Sequence, residues 1–143
     1  MDVCCLNRPF DQQSQQRIRL ETEAILEILQ QCQSGQYRLL SSTVLESEIA
    51  QNPNPNKAEQ VQQTLSIAQE KILVSETIIQ RGKELVALGF KNYDALHLAC
   101  AEWAKADVFL TTDDRLLKKA LTCQNILQIT AFNPVVWLMS LEN

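Results

Sequence analysis

The sequence predicts an α/β fold: a three-layer sandwich in which a central parallel sheet of four to five short strands is flanked by helices. Two observations lead to this prediction. Short apolar runs rich in β-branched and aromatic residues alternate with segments whose apolar residues recur near the helical period of 3.6. The 143 residues contain no repeat, linker or low-complexity tract, so we expect a single domain over residues 1–143.

The first half of the chain is expected to alternate between strand and helix. The predicted elements are a short strand containing Asp2, a helix over 11–33, a strand over 37–40, a helix from Thr43, and a helix over 57–69. Gly35 should end the first of these helices. Residues 43–46 match the S/T-x-x-E capping box, which places a helix start at Thr43. The Asn/Pro run at 52–56 predicts a loop without regular structure.

The second half continues the same alternation. The predicted elements are a strand or extended segment over 72–74, a helix capped by Ser75 and ending near Gly89, a helix capped by Asn92, a strand over 108–111, a helix after Asp113, a strand over 126–130, and a closing helix. Asn133-Pro134 opens the closing helix, because proline is favoured in a first turn.

Composition narrows the class of protein. A net charge of −4 argues against a nucleic-acid binder with a broad basic face. No apolar run approaches the ~20 residues of a membrane helix, and no basic leader follows Met1, so we expect a soluble, cytoplasmic protein without membrane association. The five cysteines form no C-x-x-C pair, which favours small buried thiols in a reducing compartment over a zinc site or a disulfide framework.

Four acidic residues are predicted at or near places where the chain passes from a strand to a helix. They are Asp2, Glu48, Asp94 and Asp113. Sites in parallel sheets form at the carboxyl ends of strands, and carboxylate oxygens suit hard cations such as Mg²⁺ or Mn²⁺. Ordinary structural roles are open as well, because an acid in a first helical turn complements the dipole and an aspartate often caps a helix.

Glu46 and Glu48 lie two residues apart, so on a helix they point to nearly opposite faces and only one can reach the site. Glu46 belongs to the predicted capping box. Glu48 is therefore the expected ligand.

Two stretches of sequence resemble the PIN-domain family. Tyr-Asp-Ala-Leu-His-Leu-Ala at 93–99 is followed by Ala-Asp-Val-Phe-Leu-Thr-Thr-Asp-Asp-Arg-Leu-Leu at 106–117, which separates Asp94 from Asp113 by nineteen residues. Asp2 and the segment at 42–49 add weaker support. The resemblance spans nearly the entire chain. Within the family, the chain is similar to small bacterial VapC-like toxin ribonucleases.

The resemblance implies an activity and a set of site residues. The activity is metal-dependent endoribonuclease cleavage, with Mg²⁺ or Mn²⁺ held by Asp2, Glu48, Asp94 and Asp113 and with Asp114 as the fallback ligand. Thr111 and Thr112 would orient a carboxylate or a water. The partners implied are an RNA substrate, a small antitoxin protein that covers the acidic cleft, and a second copy in a homodimer.

Two arginines and a threonine near these acids are candidates for substrate contact. Arg8, Thr112 and Arg115 could contact RNA, although a solvated helix face is the ordinary interpretation for Arg115 and its lysine neighbours. His97, the sole histidine, is interpreted as a packed helix residue rather than a general base.

Two functions from different classes remain open. The first is the metal-dependent endoribonuclease, acting as the toxin of a toxin–antitoxin pair. The second is a catalytically degenerate module that binds a protein or RNA without cutting, which the very short strand at Asp2 and the negative charge favour. Substituting Asp94 or Asp113 should separate them, since a binding module would keep its affinity.

Overall fold

The computed structural model describes residues 1–142, and helices make up most of them. The eight α-helices of this part of the chain are α1 (Val3–Asn7), α2 (Gln16–Gln33), α3 (Thr43–Ala50), α4 (Pro55–Leu65), α5 (Glu76–Ala87), α6 (Asn92–Trp103), α7 (Asp114–Thr122) and α8 (Pro134–Ser140). The strands are β1 (Leu40–Ser42), β2 (Glu70–Ile72), β3 (Phe109–Leu110) and β4 (Ala131–Phe132). A single 3₁₀ turn, Arg8–Phe10, separates α1 from α2.

The prediction of a central sheet of four to five strands is wrong. Within residues 1–142 the strands form two separate two-stranded parallel sheets, β1 with β2 and β3 with β4. Leu40 lies opposite Glu70 in the first sheet, and Phe109 lies opposite Ala131 in the second. The alternation of strands with helices correctly indicated parallel pairing. It could not show that the strands, each two or three residues long, would remain in two sheets.

The strand expected at Asp2 is also wrong, because Asp2 caps a helix. Its backbone is extended, with φ −89° and ψ 179°, and its Oδ1 accepts a hydrogen bond from the Cys5 backbone N–H at 3.1 Å. An aspartate in this position satisfies one of the free N–H groups of the first turn. The following residues therefore leave the extended conformation at once and form α1.

Several element boundaries differ from the prediction for local reasons. Ser42, not Thr43, caps α3 by accepting from Leu45 N–H, so the predicted capping box does not form. Asn54 caps α4 and Pro55 opens it, so the Asn/Pro loop is shorter than expected. The last strand lies after the predicted range of 126–130.

Other boundaries are confirmed. Ser75 caps α5 and Asn133 caps α8. Gly35 and Gly89, with φ of +89° and +109°, follow the ends of α2 and α5 in a backbone conformation that favours glycine.

Two apolar clusters make up the core, and β3 lies between them. Phe109 belongs to the cluster around α5 and α6, whereas the next residue, Leu110, belongs to the cluster around α2, α3 and α4. Successive side chains of a strand point to opposite faces, so helices pack on both sides of β3. This arrangement places the carboxyl end of β3, and the residues that follow it, at an edge shared by both layers. Within the described residues no helix is long and apolar enough to cross a membrane.

Candidate functional site

The site is built on the contact between Asp2 and Thr111. Asp2 is 3% exposed, and its Oδ2 accepts a hydrogen bond from the Thr111 hydroxyl just beyond β3. The Asp2 backbone N–H also donates to the Leu110 carbonyl at 3.1 Å. Burial raises the pKa of Asp2, while the bonds from Thr111 and Cys5 act in the opposite direction. The amino terminus is thus fixed against the end of β3.

Asp113 follows the same strand end. Thr111 Oγ1 accepts from the Asp113 backbone N–H at 3.0 Å, so one hydroxyl connects Asp2 to Asp113. Asp113 in turn caps α7, and its Oδ1 accepts from the N–H groups of Arg115 and Leu116 at 2.9 and 3.3 Å. The capping role that the sequence left open for Asp113 is therefore present, and it occupies one carboxylate oxygen.

Asp94 lies in the first turn of α6 and is half-buried. Its pKa is raised to about 6, first by burial and then by the negative charges of Asp2 and Asp113. Glu48 adds to the rise, and His97 is the nearby group that lowers it. A carboxylate surrounded by other carboxylates binds a proton more readily because ionisation brings like charges together.

Glu48 approaches the cluster from α3. Its Oε1 accepts a hydrogen bond from Nε2 of the buried His97 at 2.7 Å. The ring of His97 stacks on Tyr93, with centroids 6.1 Å apart and an interplanar angle of 20°. His97 is a packed helix residue, as predicted, and it also orients Glu48. Glu46 points elsewhere and pairs with Lys71 at 2.7 Å.

The structure therefore brings together four acids from four separate segments: Asp2, Glu48, Asp94 and Asp113. We call this set the acidic cluster. Within residues 1–142 no group of three or more His, Cys, Asp or Glu side chains is arranged so that it could hold a metal ion.

Cys4 borders the acidic cluster, which the sequence did not indicate. The residue is exposed overall, unlike the buried thiols predicted for the chain. Neighbouring residues exclude water from the thiol, and this desolvation is the main reason why its pKa rises to about 12. The negative charges of Asp2, Asp113, Asp94 and Glu48 raise the pKa further. Asp94 and the three carboxylates that raise its pKa thus all act on this thiol as well, as expected of groups that lie close together.

A cleft of about 370 Å³ adjoins the cluster at Asp113 and carries basic side chains. It is lined by Arg8, Gln15, Arg17, Ile18, Glu21, Thr112, Asp113, Asp114 and Arg115. The three candidate substrate-binding residues, Arg8, Thr112 and Arg115, therefore lie along one cleft. The buried Oγ1 of Thr112 has no hydrogen-bond partner among the described residues. Positive side chains and a free hydroxyl beside a group of acids make this cleft suited to a phosphate-bearing ligand.

Glu21 organises this cleft from inside the protein. It is 1% exposed, and its carboxylate lies 3.1 Å from Arg8 Nε and 3.2 Å from Arg17 Nε. Asn133 Nδ2 donates to Glu21 Oε2 at 2.7 Å. The Arg8 Nε and Glu21 Oε1 atoms form an ion pair by distance, but neither makes a well-angled hydrogen bond within residues 1–142. Sequence reasoning missed Glu21, since nothing in its helical spacing distinguishes it from a solvated acid.

Asp114, the fallback ligand, is directed toward the cleft rather than toward the acidic cluster. Both of its oxygens accept from Arg17, at 2.7 and 2.6 Å. Arg17 holds the pKa of Asp114 below its ordinary value. The structure thus separates neighbouring aspartates by role: Asp113 faces the acids and Asp114 faces an arginine.

Comparisons of this chain with protein families, with curated proteins and with solved structures find no match.

Proposed function

We propose that this protein is a Mg²⁺- or Mn²⁺-dependent endoribonuclease of the PIN type, with the acidic cluster as its active site. One observation carries the proposal: residues 2, 48, 94 and 113, far apart in sequence, bring their carboxylates close enough that three of them add to the effect of burial in raising the pKa of Asp94 to about 6. Like charges brought together destabilise the folded state unless another interaction offsets their repulsion. A bound divalent cation removes that cost, because it favours the ionised form of every acid around it.

The donor set fits a hard divalent cation. All four acids offer oxygen, and the nearest alternative ligand, the Cys4 thiol, has a pKa of about 12 and stays protonated at neutral pH. Asp113 and Glu48 each have one oxygen engaged by a neighbour, whereas both oxygens of Asp2 accept hydrogen bonds, Oδ1 from Cys5 and Oδ2 from Thr111. Side-chain rearrangement within the acidic cluster would have to accompany binding, since its acids do not form a metal-holding group in the structure of residues 1–142.

Each part of the site then has a definite task. When bound, the cation would polarise a phosphodiester and supply an activated water. Thr111 fixes the orientation of Asp2, and His97 fixes that of Glu48. Arg8 and Arg115 in the adjoining cleft would contact phosphates on either side of the cleaved bond. The Thr112 hydroxyl, which has no partner among the described residues, would donate to a phosphate oxygen or to a water.

The test is cleavage of a mixed RNA pool with Mn²⁺, with EDTA, and with Asp94→Asn. Metal-dependent cleavage that falls by at least ~100-fold in the variant would support the proposal. Asp114→Asn is the matched control, because it makes the same substitution on a nearby carboxylate that faces Arg17. Equal activity of wild type and Asp94→Asn, or equal loss in both variants, would contradict a role for the acidic cluster.

A second candidate is a module that binds RNA or a protein without cutting. The observation in its favour is that Asp2 and Glu48 already have protein partners, Thr111 and His97, which is also how acids are held in sites without metal. Titration with Mn²⁺ distinguishes the two functions. A non-cleaving module would bind RNA with the same affinity in wild type and Asp94→Asn and would show no Mn²⁺-dependent stabilisation.

The partners implied by the resemblance, a second copy and a small antitoxin, form part of the proposed toxin function. Exposed apolar side chains on α2 and α8, Leu26 at 52% and Met139 at 62%, would be suited to an interface between copies. Sedimentation of the purified chain tests the homodimer. Monomeric protein at micromolar concentration would contradict it.

A further inference from the structure

Arg17, in the cleft beside the acidic cluster, is held by two carboxylates that differ in their surroundings. Its Nε donates to Oε2 of the buried Glu21 at 3.2 Å. Its Nη1 and Nη2 donate to the two oxygens of Asp114 at 2.7 and 2.6 Å, and the side chain of Asp114 is 66% exposed. One side of the guanidinium is therefore fixed to the interior of the protein, whereas the other side forms its two bonds at the surface.

The inner contact of Arg17 does not depend on Asp114. Glu21 also accepts a hydrogen bond from Asn133 Nδ2 at 2.7 Å, and its other oxygen lies 3.1 Å from Arg8 Nε. These partners come from separate segments of the chain and hold the buried carboxylate in place. Arg17 would therefore stay anchored in the cleft through Nε if Asp114 turned away.

The outer contact can be exchanged. Water screens an exposed ion pair, so such a pair stabilises the folded protein only slightly. Asp114 can turn into solvent without leaving a buried charge, because its side chain is already largely exposed. The start of α7 is unaffected by such a movement, since Asp113 and not Asp114 caps this helix.

A phosphate group matches the place that the Asp114 carboxylate occupies. Both groups offer two oxygens that accept parallel bonds from the fork of a guanidinium. The buried hydroxyl of Thr112 lines the same cleft, and its Oγ1 has no hydrogen-bond partner within residues 1–142. Thr112 is 3% exposed, and a buried polar atom without a partner is uncommon in folded proteins. A ligand oxygen in the cleft would supply that partner.

The charges of the cleft lead to the same ligand. Its lining has three arginines and three acids, which are Arg8, Arg17, Arg115, Glu21, Asp113 and Asp114. These formal charges balance while Asp114 lies in the cleft. When Asp114 turns outward, one positive charge is left in excess, and a phosphate group can neutralise it.

We propose that Arg17 is a phosphate-binding residue and that Asp114 is its internal competitor, which a phosphate group of the RNA displaces from the guanidinium. This inference deepens the proposed function and rests on it for the identity of the ligand as RNA. The exchange replaces one bidentate partner of Arg17 with another, so the guanidinium stays paired throughout. Asp114 thereby lowers the affinity of the cleft for every phosphate group that reaches it.

The experiment measures the binding of inorganic pyrophosphate by calorimetry in EDTA, with wild type, Asp114→Asn, Arg17→Ala and the double variant. We expect Asp114→Asn to tighten binding about 3- to 5-fold, because the competing pair is lost. Arg17→Ala should weaken binding by at least ~3-fold. In the Arg17→Ala background, Asp114→Asn should produce no gain, because the two residues act through one contact.

Two further variants separate the contact from general effects of charge and folding. Glu70→Gln is the matched control, since it removes one exposed negative charge that pairs with Arg38 and does not line this cleft. Its affinity for pyrophosphate should equal that of wild type. Arg17→Lys keeps the positive charge without the fork, so it should also bind more weakly than wild type and serves where Arg17→Ala does not fold.

Equal affinity of wild type and Asp114→Asn would overturn the competition, and so would a gain that persists undiminished in the Arg17→Ala background. Absence of pyrophosphate binding in both wild type and Asp114→Asn would overturn the phosphate site itself. All of these measurements are made without metal and without cleavage. Failure of the nuclease proposal in the RNA assay would therefore leave them unaffected, and their failure would leave the metal-dependence of cleavage to be judged separately.

Discussion

Replacing Asp94 by asparagine is expected to stabilise the metal-free protein at neutral pH and to have a much smaller effect at pH 4. The pKa of this carboxyl is about 6 in the folded chain, against an ordinary value of 3.8. Well below pH 3.8 it is protonated in both the folded and the unfolded states. Between pH 4 and pH 6 the folded protein keeps the proton that the unfolded chain has released, so stability falls as pH rises through this window.

The magnitude follows from the same values. One pKa unit corresponds to ~1.4 kcal/mol, so the rise to about 6 sets an upper bound of roughly 3 kcal/mol at pH 7. Asp94 is only half-buried, and solvent reduces the repulsion that it feels from Asp2 and Asp113. We therefore expect the asparagine variant to gain on the order of 1–2 kcal/mol at pH 7 relative to its difference from wild type at pH 4.

Urea unfolding of both proteins at pH 4, 5, 6 and 7 measures this gain. Asp114→Asn serves as control because Arg17 lowers the pKa of Asp114, and a lowered pKa gives stability that is present at neutral pH and lost on acidification. The two asparagine variants should therefore differ in the sign of their pH dependence. A free-energy difference between Asp94→Asn and wild type that is the same at pH 4 and pH 7 would refute the charge-repulsion argument.

Three further predictions concern contacts in and around the site. Thr111→Val should cost about 2–3 kcal/mol, since it leaves Oδ2 of the buried Asp2 carboxylate without a donor, while Thr111→Ser should cost under ~1 kcal/mol. Equal losses in urea unfolding would contradict this role of the hydroxyl. Mn²⁺ should speed the alkylation of Cys4 by iodoacetamide at pH 8 several-fold, because a cation that neutralises the nearby acids lowers the pKa of this thiol from about 12. An unchanged rate in protein shown to bind Mn²⁺ would count against the acids as ligands. Arg81→Ala should lower the free energy of unfolding by about 2–4 kcal/mol, because Arg81 Nε pairs with Oε1 of the nearly buried Glu102 at 2.7 Å. Adding Glu102→Gln to that variant should recover part of the loss, because it removes the unpaired charge.

Local signals made much of the helical structure predictable. Ser75 was identified as a cap because a short polar side chain before an apolar periodic run satisfies the first free N–H groups of a helix. Asn133-Pro134 was identified as a helix start because proline is favoured in a first turn. These signals depend on residues within a few positions of one another.

The features that sequence reasoning missed depend on distant residues. Nothing in the composition of β1 and β3 shows that they belong to separate sheets, because strand pairing depends on residues far apart in sequence. The bond between Arg17 and Asp114 joins positions 97 residues apart, and the burial of Glu21 depends on partners from three segments. No periodicity records such contacts, so an acid inside the protein and an acid on its surface look alike in sequence.

Asn133 connects the carboxyl-terminal helix to the basic cleft through a single side chain. Its Oδ1 accepts from Val135 N–H and so caps α8, while its Nδ2 donates to Glu21, which lies against both Arg8 and Arg17. The amide can make both bonds only while α8 stays docked. A ligand or partner that displaced α8 would therefore also release Glu21 and change the direction in which the two guanidinium groups point. The docking of α8 thus controls the orientation of two arginine side chains that lie more than a hundred residues earlier in the sequence.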